Sequence, residues 1–358
     1  MRLLFFVHLQ RQNDEHMGSG MPQKLKRLAL CMLLAVLVVG GVRTVYPSYS
    51  QDITLRRLTL NPDDPAQRYV GALAFIAAWE LHSRNEAFGG ISALTALKNG
   101  RFVGISDAGT LIGFGLSNGS RVTRPFIVPL PNAQGPGISY KDRDSEGIAY
   151  DPDSDQYWVS FEQRHAIRRY SGSLGRQTGI MRPREMQDWP NNKGAESIIR
   201  LKDGRFLVIA ESVDDRMHPA LLFSGDPVER GTSITSFKFR PPTGYRVTDG
   251  VQLPDGRIAI LNRSIGFPVG FSAKISLLNL PNISRDSIVS AKVIASLAAP
   301  LLVDNMEGIA VTREGQDTIL WLVSDNNFSI FQRTILMKFR LPHQPDSKKT
   351  VASTAPRL

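Results

Sequence analysis

From residue 88 to residue 342 the chain alternates short runs rich in Val, Ile, Phe and Trp with clusters of Gly, Pro, Asn and Asp. Apolar runs of four to eight residues bounded by turn formers read as β-strands. Helical periodicity is weak, and the spacing predicts one short helix near Ala72–Leu81. The turn signals recur as Lys98-Asn-Gly-Arg101, Asp151-Pro-Asp-Ser-Asp155, Lys202-Asp-Gly-Arg205, Pro254-Asp-Gly-Arg257 and Arg313-Glu-Gly-Gln-Asp317. Asn-Gly and Asp-Gly between apolar runs are strong hairpin signals, because Gly and Asn accept the positive φ of a tight turn.

The hairpin arms resemble one another. Glu196-Ser-Ile-Ile…Lys202-Asp-Gly-Arg-Phe206 echoes Ile91-Ser-Ala-Leu…Lys98-Asn-Gly-Arg-Phe102, and Ser145-Glu-Gly-Ile-Ala149 echoes Met306-Glu-Gly-Ile-Ala310. A repeat of roughly 50–60 residues is the spacing of propeller blades. The expected fold is therefore all-β, a β-propeller. Five hairpins are visible, and residues 52–81 with a late strand are expected to supply another blade. Six blades are expected, with five as the alternative. The organisation predicted is an N-terminal extension and signal over 1–50, a ring-closing segment over 51–83, the propeller over 84–342 and a flexible tail over 343–358.

The hairpins carry their acids at one end. Reflection about each turn pairs Ser92 with Asp107, Glu146 with Glu162, Glu196 with Glu211, Asp249 with Asn262, and Glu307 with Asp325. All but Ser92 and Asn262 are carboxylates. If the first arm of each hairpin lines a central channel, these groups meet at one mouth. Carboxylates so gathered repel one another and must hold protons, basic partners or a cation. Oxygen ligands without His or Cys favour Ca²⁺, with Mg²⁺ the second choice. Basic residues flank the acids: Lys141, Arg143, Arg164, Lys193, Arg216, Arg246 and Arg263, with His165 and His218 nearby. A metal beside Arg and Lys can hold and polarise a phosphate or carboxylate. Asn132–Tyr140 and Asn191-Asn192 read as loops over that mouth. Gly115-Leu-Ser117-Asn-Gly119 matches a nucleophile elbow only in spelling, since a strand followed by a turn is the wrong context.

Charge and composition narrow the classes. The net charge is +10, of which the first 50 residues contribute four, leaving +6 on the remainder. That surplus, with no Lys/Arg tract interleaved with aromatics, gives no reason to expect a nucleic-acid partner. Hydrophobic residues at 42% exclude a mainly disordered chain. Met21-Pro-Gln-Lys-Leu-Lys-Arg27 followed by the uncharged Leu28–Val42 and small residues at Ser48 and Ser50 is a secretory-signal layout. The apolar stretch spans about 22 Å as a helix, against a hydrocarbon core of roughly 30 Å. Export to the periplasm or beyond is expected, with retention by an anchor over residues 28–42 as the alternative. Residues 1–20 precede this pattern, which leaves Met21 as an alternative start. The single Cys31 lies inside the apolar run, so the processed chain needs no disulfide and has no thiol nucleophile.

Several segments carry a family resemblance: Phe88-Gly-Gly-Ile-Ser92, Asp144-Ser-Glu-Gly-Ile-Ala149, Gly194-Ala-Glu-Ser197, Thr248-Asp-Gly250, Asn305-Met-Glu-Gly-Ile309 and Ser324-Asp-Asn-Asn-Phe328. In this order, over roughly residues 84–342, they resemble the phytase-like domain family with esterase-like activity. The resemblance implies an exported β-propeller. Asp63-Asp-Pro-Ala66 is similar to part of a motif of calcium-dependent β-propeller phytases, but Gln67 follows it in place of an aliphatic–Trp pair, and Ser329 stands where the second motif has Asp. Phytate itself is therefore not the expected substrate.

The expected activity is metal-dependent hydrolysis of phosphate or carboxylate esters. Glu146, Glu196, Asp249 and Glu307 are the expected catalytic set. Together with Glu162, Glu211, Asn262 and Asp325 they are the expected ligands of Ca²⁺. Arg143, Arg164, Lys193 and Arg263 are expected to bind a small anionic ester. A calcium lactonase-like propeller and a non-catalytic binding propeller with a structural metal are the rivals. A monomer is expected, with membrane contact only through an uncleaved anchor.

Overall fold

Short strands joined by tight turns cannot each bury two faces alone, and in this chain they solve the problem by stacking five sheets around an axis. The structure, a computed structural model, describes residues 50–342 except 118, 120, 134–137, 212–215 and 268–269. The expected signal, the anchor and the C-terminal tail lie outside the described residues. Among those described, no helix is long and apolar enough to cross a membrane.

Three strands come first: β1 (Thr54–Leu58), β2 (Tyr69–Val70) and β3 (Leu73–His82). The first blade is β4 (Ile91–Ala96), β5 (Arg101–Ser106), β6 (Thr110–Ser117) and β7 (Arg121–Pro129). A single helical turn, α1 (Tyr140–Arg143), precedes the second blade: β8 (Ser145–Asp151), β9 (Gln156–Phe161), β10 (Ala166–Tyr170) and β11 (Gln177–Met181). The third is β12 (Ala195–Arg200), β13 (Phe206–Ala210), β14 (His218–Phe223) and β15 (Ile234–Arg240). The fourth is β16 (Arg246–Gln252), β17 (Ile258–Gly266), β18 (Gly270–Leu278) and β20 (Lys292–Ala298). Its β19 (Ile288–Ser290) crosses over to pair in parallel with β15. The fifth begins with β21 (Met306–Glu314), β22 (Asp317–Ser324) and β23 (Ile335–Leu341), and β3 completes it antiparallel to β23.

The innermost strands β4, β8, β12, β16 and β21 touch in sequence, and β21 returns to β4, so the ring closes at five. The expectation of six is corrected here. Residues 52–81 form no sheet of their own, because the C-terminal hairpin offers three strands and β3 fills its vacant edge. The expected helix over Ala72–Leu81 is strand β3 for the same reason. It is hydrogen-bonded on both sides, by β1 and by β23. Burial on both faces erases the alternation that would have marked it as a strand.

Five apolar layers fill the five seams between neighbouring blades. The layer closing the ring is the most aromatic: Trp79 of β3 stacks on Trp321 of β22 at 6.2 Å, and Phe102 of β5 meets Trp321 edge-on at 4.8 Å. Burial of such side chains is worth about 1.5–3 kcal/mol each. The predicted turns fall between first and second arms, with Gly100, Gly204 and Gly256 at φ of 73, 90 and 92°. Those turns therefore stand together at one end of the ring, and the strand ends remote from them at the other.

Candidate functional site at the channel mouth

The remote ends share one local device. In every blade the pairing of the first two strands slips by one residue at the start of the innermost strand. The slip lies between Ile91 and Ala93, Ser145 and Gly147, Ala195 and Ser197, Val247 and Asp249, and Met306 and Gly308. A β-bulge of this kind re-aims the extra residue. The bulged residues are Ser92, Glu146, Glu196, Thr248 and Glu307. Facing them, immediately beyond the last paired residue of the second arm, are Asp107, Glu162, Glu211 and Asp325. In the fourth blade the corresponding residue is Arg263. The backbone amides of the four acids donate to Gly90, Asp144, Gly194 and Asn305 at 3.1, 3.0, 3.0 and 2.8 Å, which fixes each beside its own bulge.

These residues enclose a cavity of about 180 Å³, lined by Ser92, Asp107, Glu146, Glu162, Glu196, Glu211, Arg263, Glu307 and Asp325, with Tyr140, Asp144 and Asn327. The convergence expected of the mirrored acids is thus present. Its members are not quite those expected. Asp249 lies one residue past the bulge, and one step along a strand turns a side chain to the other face. It is 1% exposed, and its carboxylate accepts the amides of Gly250 at 2.7 Å and of Ile309, in the next blade, at 2.9 Å. It fastens the fourth blade to the fifth and does not line the cavity. Replacing Asp249 by Ala orphans two buried amides, each worth about 1–3 kcal/mol. The expected result is a drop in melting temperature of several degrees, read by calorimetry, and an unchanged melting temperature would refute the role.

Asn262 is likewise turned away: its amide nitrogen donates to Ile260 and Lys274 carbonyls and to Ser276 Oγ at 3.1–3.2 Å. Arg164 is paired outside with Asp142 at 2.8 Å, and Arg143 is buried with its guanidinium 5.9 Å from the Tyr140 ring. None of these three lines the cavity. His165 and His218 are buried and absent from its wall. Asp63 and Asp64 are exposed residues of the β1–β2 connection.

Charge is distributed unevenly around the mouth. The second blade contributes three acids, because Asp144 occupies the position filled by Gly90, Gly194, Arg246 and Asn305 in the others. Oxygens of Asp144, Glu146 and Glu162 lie within 4.8 Å of one another. Asp144 Oδ2 is buried without a hydrogen-bond partner. The fourth blade contributes two arginines. Arg246 reaches Glu211 at 2.9 Å, Lys193 reaches the same carboxylate at 3.4 Å, and Arg263 lies 3.1 Å from Glu307 and 3.9 Å from Glu211. In a ring of five these two blades are not neighbours, so negative and positive poles stand across the cavity from each other.

Burial and mutual repulsion hold protons on the acids. Burial, then the Asp144 charge, push Asp107 up to about 7 and Glu162 up to about 9. Burial carries Glu307 to about 7 against the pull of Arg263. Glu146, Glu196 and Asp325 are raised well above the usual range, first by burial and then by neighbouring carboxylates. The Tyr140 phenol, hydrogen-bonded to Asp144, is raised by burial and by that charge. Such a cluster takes up either protons or a cation.

Sequence reasoning missed Tyr140, Asp144 and Asn327 as site residues. Asp144 was legible as the one acid at its repeat position; Tyr140 comes from a turn of helix with no counterpart in other blades.

A family model described as Phytase-like, "Esterase-like activity of phytase", matches residues 86–328. Similar solved structures include glutaminyl cyclase of Myxococcus xanthus, 13% identical with a TM-score of 0.43, covering 76% of this chain and 97% of that one. The allergen Mala s 1 of Malassezia sympodialis is 12% identical with a TM-score of 0.43, covering 70% and 92%. The β-propeller domain of Cps50 (Swd1) from Myceliophteria thermophila is 9% identical with a TM-score of 0.38, covering 83% and 100%. None of these values supports a shared activity. Among curated proteins no match was found. The family match extends from just before the first blade into the loop after β22, taking in every bulge and every mouth residue: the chain belongs to the Phytase-like family.

Proposed function

We propose that the protein hydrolyses phosphate or carboxylate esters at this mouth, with a hard divalent cation held by Asp144, Glu146 and Glu162. The observation that carries the reading is the polarity of the ring: three clustered acids on one blade, one with an unpartnered buried oxygen, across from Arg246 and Arg263. The donor set is all oxygen, which suits Ca²⁺ and, less well, Mg²⁺. When bound, such an ion polarises an ester oxygen and lowers the pKa of water.

The chain's own residues supply the rest. Arg263, which lines the cavity, holds the anionic part of the ester with Arg246 and Lys193 behind it; their pairing with Glu211 and Glu307 keeps all three fixed. Glu196 lies between the two poles, within the fields of Glu162, Glu211, Glu307 and Arg263. Arg263 beside it favours its carboxylate form against burial and the neighbouring acids, and that form would take a proton from the attacking water. The water oxygen bonds to phosphorus or to the acyl carbon, the bond to the leaving oxygen breaks, and the proton returns to that oxygen. Tyr140 hydrogen-bonds to Asp144 and closes the second-blade side of the cavity.

The test is removal of divalent ions, followed by assay on generic phosphate, carboxylate and lactone esters. Activity should vanish and return with Ca²⁺. Turnover that survives chelation overturns the metal role. Ca²⁺-dependent melting with no turnover on any ester supports a binding propeller instead. Export belongs to the same proposal, supported by the basic and apolar pattern of residues 21–50.

A further inference from the structure

One second arm does not stop at the mouth. β5, β9, β13 and β22 end at Ser106, Phe161, Ala210 and Ser324, each one residue before its mouth acid. The corresponding residue of β17 is Asn262, yet β17 runs on to Gly266 and pairs without a slip to Gly270 of β18. The fourth blade thus raises a two-stranded ribbon past the cavity. Alternate residues of a strand share a face. Arg263 and Ile265 therefore lie along the same side, about 7 Å apart at 3.3 Å per residue, and Phe267 follows in the turn just beyond the end of β17. Ile265 is 54% exposed and Phe267 76%. A second hollow of about 120 Å³, lined by Gly244, Arg246, Arg263, Ser264 and Ile265, joins both arginines to the apolar part of the ribbon.

Charge at the base and exposed apolar side chains above it, on one continuous track, describe the complement of an amphiphile. We propose that the substrate is an ester bearing both an anionic group and an apolar arm. The anionic group lies on Arg263 and Arg246, and the arm extends outward along Ile265 and Phe267. This inference rests on the ester-hydrolase reading and narrows it. An all-polar polyphosphate would leave the ribbon without a function.

The test measures kcat/KM for n-alkyl phosphates from ethyl to decyl, and for monoalkyl succinates of the same lengths, below their micelle concentrations and with Ca²⁺ present. The decyl-to-ethyl ratio should be at least about 10 for the unaltered protein, since each contacting methylene in an apolar site contributes about a factor of ten or more. In the double variant Ile265→Ser/Phe267→Ser that ratio should fall toward 1. Ile288→Ser, which removes an equally exposed apolar residue from the outer strand β19, should leave it unaltered. Equal ratios in the unaltered protein and the double variant overturn the proposal. So does loss of sedimentation with phosphatidylglycerol vesicles with no change in the ratio, which would make the ribbon a membrane contact. If neither series is turned over, the ester-hydrolase reading fails separately. Calorimetric binding of decyl against ethyl phosphate then reads the same ratio directly, and equal affinities overturn the inference.

Discussion

Glu196→Gln should abolish turnover and leave cation binding intact, whereas Asp144→Asn should abolish both. Gln has the size of Glu but cannot accept the water proton, and loss of a general base lowers kcat by about 10²–10⁴-fold. Asn at 144 keeps the shape of Asp and removes charge from the tightest group of carboxylates, whose oxygens lie within 4.8 Å. Altering groups that support a metal costs about 10–100-fold in affinity, and a direct ligand should cost at least that. Two readouts separate the variants: kcat on the best ester, and the rise in melting temperature on adding Ca²⁺. Equal calcium-induced stabilisation in Asp144→Asn and the unaltered protein would dismiss the second blade as the metal pole. Full activity in Glu196→Gln would assign the base elsewhere, with Glu307 next in line.

Stripped of divalent ions, the protein should become less stable as the pH is raised from about 5 to 9. Glu307 and Asp107 titrate near 7 in the folded chain and Glu162 near 9, against ordinary values of 4.5 and 3.8. Between the unfolded and folded values the native state keeps protons that the unfolded chain has released. Stability then falls with pH by about 1.4 kcal/mol per pH unit for each proton retained. For a chain of this size that is roughly 3 °C or more per unit. The depressed carboxylates Asp142, Asp151, Asp203 and Asp255 contribute only at the acid end; His165, held below its ordinary value of 6.5 by burial, opposes the trend only below that pH and with a single proton. Ca²⁺ should reverse the slope, because an ion displacing protons binds better as they leave. A melting temperature for the ion-free protein that is flat or rising from pH 5 to 8 would contradict the crowding of charge described above.

The hairpins, their turns and the gathering of acids at one mouth are legible without coordinates, because turn chemistry and alternation are local. Depth along a hairpin is not. Reflection about the Asp255-Gly256 turn pairs Asp249 with Asn262 and, one step farther from the turn, Thr248 with Arg263; the mouth residues of the first and third blades stand at the outer step, and the acid of the fourth falls one step short of it. In the second and fifth blades, with their longer turns, the same procedure lands on Glu146 with Glu162 and Glu307 with Asp325. The reversal of sign in the fourth blade, which creates the positive pole, was therefore read as another pair of oxygen ligands. The blade count failed for a different reason. Strand β3 is separated from its partner β23 by the whole ring, and no local pattern reports so distant a pairing.

That pairing bears on how the molecule is made. Blade five cannot be assembled until Ile335–Leu341 has left the ribosome, although β3 is synthesised some 250 residues earlier. Until then β3 carries an open hydrogen-bonding edge and the indole of Trp79 has no stacking partner. Closure over so long a loop is entropically late, so the last step of folding should be the docking of β23 on β3. Nascent chains halted before that point would present adhesive edges, the species most in need of a chaperone.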